Sequence, residues 1–262
     1  MMTYFESFLY GAVQGVTEYL PVSSSAHLIL LPRFLGTKDP GLTFDVFLHF
    51  GTLLATLLYF WREWWGIVKP HSGFRKAVSW KYIVLATIPA LVMGGLFHHW
   101  IETLLRGNLW MCTTIAVGGL SLFAADYLSK NKRELDVMRH RDALWIGFIQ
   151  CLALMPGFSR SGSTMMGARL LGFDRNSAAR FSFLISAPVT LAAIVFEMRH
   201  WRELFLGDIP LDHLLIAGFS SFVFGCIAIG GLLRLLRRFG FLSFAVYRVT
   251  LAIVIFKVLG PS

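Results

Sequence analysis

The sequence predicts an all-α integral membrane protein: six transmembrane helices plus two re-entrant helical hairpins, arranged as an inverted-topology internal repeat. Three observations predict it. First, of the 262 residues 56% are hydrophobic and only 15% charged, with a mean hydropathy of +0.63. A soluble domain carries about 25% charged and 45–50% apolar residues. Second, two long apolar regions are broken at their centres by polar and helix-breaking residues. Third, those two broken regions resemble each other.

A spanning helix needs roughly 20 mostly apolar residues. Region 4–35 is long enough but is broken at Pro21-Val22-Ser23-Ser24-Ser25. Stretches 42–61, 81–98 and 108–129 follow as uninterrupted spans. Segment 130–141 is polar and reads as a solvated linker. Region 142–172 is broken at Pro156-Gly157-Phe158-Ser159-Arg160-Ser161-Gly162, and stretches 180–198, 212–233 and 241–259 complete the set. Irregular backbone at membrane depth survives only where protein or a water-filled cavity satisfies it. Both broken regions therefore read as hairpins of two half-helices. The start, MMTYFESFLY, lacks a basic n-region and an A-x-A-like site, so the first apolar segment is expected to act as its own insertion signal.

The formal net charge is +9. With each hairpin returning to its own side, thirteen Lys and Arg fall in 62–81, 130–141 and 234–238. Six fall on the other side: Arg33, Lys38, Arg106, Arg199, Arg202 and Lys257. The positive-inside rule makes the richer side cytoplasmic and puts both termini outside. Topology thus explains the charge, and no nucleic-acid partner is expected, since that needs a clustered basic face with stacking aromatics. Cys112, Cys151 and Cys226 lie in apolar runs and read as plain buried residues without disulfides.

The repeat is carried by four matches in one order. Gly11-x-x-Gln14 recurs as Gly147-x-x-Gln150, Pro21-x-x-Ser24 as Pro156-x-x-Ser159, Leu35-Gly36 as Leu171-Gly172, and Trp61-Arg62-Glu63 as Trp201-Arg202-Glu203. The chain divides into a first repeat, 1–129, a cytoplasmic linker, 130–141, and a second repeat, 142–262, within one membrane domain. Each repeat is a hairpin and three spans, and the odd number inverts the second. Broken helices of inverted repeats meet near the bilayer midplane, so both polar breaks are expected near one point.

The breaks carry chemistry. Gln14 and Glu18 are spaced i, i+4 and share a helix face. An intramembrane carboxylate marks a functional site by default, although Glu18 at an interface would simply face water. Ser23, Ser24 and Ser25 can cap the next half-helix. His27 falls a turn later, within reach of a hydroxyl it could activate, though alone it reads as a core histidine. The second break supplies a cation, Arg160, among Ser159, Ser161, Gly162, Ser163 and Thr164. Its fork suits phosphate oxygens, and a half-helix N-terminus beside it suits an anion. Arg160 could instead form a structural ion pair with Glu18. The residues by themselves support an intramembrane site for an anionic group such as phosphate, with a nucleophile at hand. Asp45 reads as a helix-start acid, His49 as packing, and His98 and His99 as interfacial. Arg180 and Ser182 read as polar lining, or Arg180 as snorkelling to the cytoplasmic interface. Neither zinc spacing nor a Gly-x-x-x-x-Gly-Lys phosphate loop occurs.

At these residues the sequence resembles the undecaprenyl-diphosphatase family, also called bacitracin-resistance proteins. The family's first motif reads here Gln14-Gly-Val-Thr-Glu18-Tyr-Leu-Pro21-Val-Ser23-Ser24-Ser25-Ala26-His27. The second reads Pro156-Gly157-Phe158-Ser159-Arg160-Ser161-Gly162-Ser163-Thr164. Length, span count and Ala178-Ala179-Arg180-Phe181-Ser182-Phe183-Leu184 also fit. Gln14 stands where the pattern has Glu or Gln, and Ser25-Ala26 where Thr-Gly is common.

The resemblance implies a phosphatase of the bacterial cytoplasmic membrane. It would hydrolyse undecaprenyl diphosphate to undecaprenyl phosphate and inorganic phosphate, recycling the carrier for peptidoglycan and conferring bacitracin resistance. It implies a divalent cation, Mg2+ or Ca2+, and a site open to the outer face. Bacitracin would act only through the substrate, and a homodimer is compatible with it. Catalytic roles would fall to Glu18, Ser24, His27 and Arg160: Ser24 as nucleophile with His27 as base, or His27 as nucleophile. Glu18, alone or with Gln14, would hold the metal or orient His27. Gln14, Ser23, Ser25, Ser159, Ser161, Gly162 and Thr164 would bind substrate. The alternative is a transporter or flippase for a polyprenyl phosphate or small anion, which needs the Arg but no nucleophile–base pair.

Overall fold

The structure is a computed structural model, described for residues 2–68, 78–104, 107–129, 132–198 and 209–260. Several charges assigned above to one side or the other lie outside the described residues: Lys69, Arg75, Lys76, Arg106, Lys130, Arg199 and Arg202. So do the motif Trp201-Arg202-Glu203 and the side chains of His98 and His99.

The described residues are almost all helical, and among them the one extended pairing is a single bridge between Arg133 and Phe173. Helix α1 (Tyr4–Tyr19) starts in a capping box between Thr3 and Glu6 and stops before Pro21. Helix α2 (Ser24–Leu35) ends on Gly36, whose φ of 66° supplies the left-handed turn. Helix α3 (Leu42–Tyr59) carries Asp45 in its first turn, as expected of a helix-start acid. It bends by 70° into α4 (Trp61–Val68). Helices α5 (Trp80–Leu104) and α6 (Asn108–Leu128) complete the first half. The second half holds α7 (His140–Gln150), a short 3-10 turn, α8 (Arg160–Leu170), α9 (Arg175–Glu197), α10 (Leu211–Leu235) and α11 (Leu242–Leu259). Among the described residues five helices are long and apolar enough to cross a membrane, or six counting the bent α3–α4 pair. Their outer faces display large apolar side chains, among them Leu54, Ile88, Leu120, Val195 and Phe219. The chain is a multi-pass membrane protein.

Packing comes in reciprocal sets. Helix α1 lies on α10 and α7 on α5; α3 lies on α10 and α9 on α5; α3 meets α9, and α6 meets α11. Lipid is as apolar as the helices, so close backbone approach must hold them together. Glycines permit it: a Cβ on Gly11 would strike the Ala217 carbonyl, and one on Gly147 would sit 2.6 Å from the Ala86 carbonyl. Both glutamines one turn on, Gln14 and Gln150, bury a side-chain oxygen that accepts no hydrogen bond.

The local geometry of the two breaks matches one residue away from the Pro-x-x-Ser alignment. Ser23 and Ser159 each precede a half-helix with positive φ, 73° and 71°, the two non-glycine residues so placed among those described. Each hydroxyl lies 3.2 Å from that of the serine two residues on, Ser25 and Ser161. Ser159 therefore corresponds to Ser23, not to Ser24 as the Pro-x-x-Ser match implies, and Arg160 stands where the first half has Ser24. The linker is also docked rather than merely solvated: Arg133 pairs with Asp142 at 2.7 Å, stacks 4.4 Å from the Phe173 ring and donates to the Leu171 carbonyl. All three cysteines are free.

Candidate active site

The two breaks meet. Glu18, at the end of α1, is buried, accepts from three side chains and faces a fourth. Its Oε1 accepts from Arg160 Nη2 at 2.6 Å. Its Oε2 accepts from Ser24 Oγ at 2.7 Å and Gln14 Nε2 at 3.2 Å, and faces His49 Nε2 at 3.5 Å. The ion pair anticipated between Glu18 and Arg160 is thus formed, and it joins the last turn of α1 to the first residue of α8. Arg160 also donates to the Ser182 carbonyl at 3.3 Å. Ser161 donates to the Leu20 carbonyl at 3.1 Å, a second tie between the breaks.

These groups enclose a cavity of about 140 Å³, lined by Thr17, Glu18, Ser23, Ser24, Ser25, His49, Ala153, Met155, Gly157, Ser159 and Arg160. That volume holds a phosphoryl group and a few waters rather than a drug-sized ligand. Six of the sequence-predicted residues line it: Glu18, Ser23, Ser24, Ser25, Ser159 and Arg160. Gln14 stands behind it, bonded to Glu18. Ser161, Gly162 and Thr164 do not line it. Gly162 gives its N–H to Ser159 Oγ, so this cap spends a donor expected for substrate. Thr164 is fully buried and contacts Ser182 Oγ at 2.6 Å.

The expected pairing of Ser24 with His27 is not made. His27 Nδ1 donates to the Ser23 carbonyl at 2.7 Å, and its Nε2 lies 2.6 Å from the Tyr247 hydroxyl. A helical histidine four residues past a free carbonyl takes that local bond, and Tyr247 on α11 then fixes the ring. Ser24 instead donates to Glu18.

Two residues escaped the sequence reading. His49 is not packing: Nδ1 donates to the Asp45 carbonyl at 2.8 Å and Nε2 looks at Glu18. Arg248 is buried in α11 and donates to the carbonyls of Ile115, Thr114, Pro21, Gly157 and Phe158 at 2.9–3.4 Å. It thereby satisfies the irregular backbone of both breaks at once. The signal was present, since an arginine inside the apolar run 241–259 is costly unless it does such work. Arg180 lines a cleft separate from this cavity and pairs there with Glu63 at 2.6 Å.

A divalent cation can be tested against the donors. Among the described residues no group of three His, Cys, Asp or Glu is placed to hold one. Glu18, the Ser24 hydroxyl and the bond-free Gln14 Oε1 are nonetheless hard oxygen donors in one network. Mg2+ takes one or two carboxylates and completes its shell with phosphates and water. The set therefore fits a cation that arrives with its phosphate ligand.

Comparison with known proteins shows the family. The family model described as bacitracin resistance protein BacA matches residues 7–254. An undecaprenyl-diphosphatase of Gemmatimonas aurantiaca is 46% identical over 270 residues, covering 99% of each chain. Those of Moorella thermoacetica and Desulforudis audaxviator are 42% and 43% identical, covering 98% and 97% of each chain. With the match running through both breaks and nearly all of every span, the chain belongs to the BacA bacitracin-resistance family.

Proposed function

We propose that the chain is an undecaprenyl-diphosphate phosphatase of the bacterial cytoplasmic membrane, releasing inorganic phosphate and the lipid monophosphate that re-enters cell-wall synthesis. The observation that carries the reading is the Glu18–Arg160–Ser24 cluster, where an anion-binding fork, a base and a hydroxyl share one small polar cavity. The terminal phosphate takes Arg160 from Glu18, and the freed carboxylate accepts the Ser24 proton. Ser24 Oγ attacks phosphorus, and the bond to the bridging oxygen breaks, that oxygen leaving on the lipid monophosphate. His49 is placed to protonate the leaving oxygen; water then releases phosphate from Ser24. Glu18 and Gln14 would hold Mg2+ or Ca2+, which would neutralise diphosphate charge. His27, held by Tyr247, remains the rival nucleophile.

The reading includes an inverted repeat of 1–129 and 142–262, with α1–α2 and α7–α8 as re-entrant hairpins. The reciprocal helix pairs and the matched Ser23 and Ser159 support it. Both termini then face outward and the site opens to the outer face. The same reciprocity favours a carrier for a polyprenyl phosphate as the second reading.

The test is phosphate release from undecaprenyl diphosphate by the purified, lipid-reconstituted protein, with and without EDTA. Metal-dependent release that Ser24→Ala and Arg160→Ala abolish supports the phosphatase. Folded protein without release, but with flux of a labelled lipid phosphate, supports the carrier.

A further inference from the structure

We propose a second phosphoryl-binding site at the opposite end of α8, for an anionic phosphate group at membrane-interface depth. It goes beyond the proposed hydrolysis and does not depend on it. Arg160 opens α8 and Arg169 lies nine residues on. At about 1.5 Å per residue the separation is about 14 Å, near half of a hydrocarbon core of about 30 Å. With Arg160 near the midplane, Arg169 lies level with the headgroups.

There a cavity of about 440 Å³ is lined by Ser129, Lys132, Arg169, Arg175 and Arg237, with Asp174. The local carboxylates do not balance these cations. Asp126 serves both Arg169 Nε and Arg175 Nε, each at 2.8 Å from Oδ1, and the rest of the Arg169 fork is taken by the carbonyls of Phe173, Asp126 and Ser129. Asp174 is occupied as the cap of α9, accepting from Asn176 N, Ser177 N and Ser177 Oγ. Among the described residues Lys132 and Arg237 have no carboxylate partner, and both are exposed. The Ser129 hydroxyl is buried without a hydrogen-bond partner. Arg175 and Arg237, with Lys132 and an idle hydroxyl around one cavity, fit three phosphate oxygens, while Arg169 adds its charge from behind. A basic pocket between helix ends at this depth suits a lipid headgroup.

The full-length protein in uncharged detergent is titrated, at fixed ionic strength, with inorganic phosphate and separately with short-chain phosphatidylglycerol. Short-chain phosphatidylcholine is the control, and the unfolding midpoint is read. A rise with phosphatidylglycerol alone assigns a lipid headgroup; a rise with inorganic phosphate as well assigns any phosphoryl group. In Lys132→Gln/Arg237→Gln the half-maximal concentration should rise about tenfold or more. No rise in the parent protein, or an equal titration in the double variant, overturns the proposal. Phosphate release by the double variant should stay within about twofold of the parent, as for distant sites. Its loss would assign these cations to the hydrolytic site and overturn the separation.

Discussion

Glu18 and Arg160 are 142 residues apart in the chain and 2.6 Å apart in space. Each stands beside a helix break, and neither charge is tolerable alone in apolar surroundings. Their pairing locks the two breaks together and keeps the fork poised, since an incoming anion needs only to displace a carboxylate. Arg160→Ala strands Glu18 and should cost about 3–5 kcal/mol of stability. Arg160→Lys keeps the charge but loses the fork, so hydrolysis should fall about 100-fold or more while less stability is lost. Thermal unfolding in detergent beside phosphate release measures both, and equal effects of the two substitutions on release and stability would remove the fork from the account.

Ser24 and His27 separate by their partners. Ser24→Ala should lower release by about 1,000-fold or more, and the phosphorylated serine should vanish from rapid-quench mass spectra. His49→Ala should cost about 100-fold, as for a lost proton donor. Tyr247→Phe, which frees His27 Nε2, should cost less than either. A phosphohistidine at position 27 would reverse these assignments.

Arg248 holds the backbone of both breaks without lining the cavity. Arg248→Met leaves several buried carbonyls without donors, at about 1–3 kcal/mol each. Stability and release should fall together, and Arg248→Lys should rescue neither, since one ammonium cannot reach five carbonyls. Retained release in a folded Arg248→Met protein would contradict this.

The strained serines offer a finer test. At Ser23, with φ of 73° and no side-chain cap, glycine relieves strain and should stabilise by about 1 kcal/mol. Ser159 has the same φ but caps Gly162, so Ser159→Gly should gain less. Unfolding midpoints of the two variants decide it.

Much of this was legible in the sequence because membrane cost makes polar residues conspicuous. Glu18, the serines and Arg160 stood out in apolar runs, and the structure gathers them. What stayed hidden depends on side-chain partners. His27 had spacing to reach Ser24, but a carbonyl four residues back and Tyr247, 220 residues away, claim its nitrogens. His49 looked apolar by its neighbours, and only the packing of α3 against α9 and α1 turns it to Glu18. The likeness of Ser159 to Ser23 rather than Ser24 was invisible because prolines align more readily than φ angles.

The central claim is that both breaks form one reacting site. A double-mutant cycle on kcat/KM for phosphate release, with Glu18→Gln, Arg160→Gln and the pair together, tests it most directly. Residues that act as a unit are non-additive, so the double variant should be no slower than the worse single. Losses that simply multiply, in protein that remains folded, would show two independent residues and contradict the account.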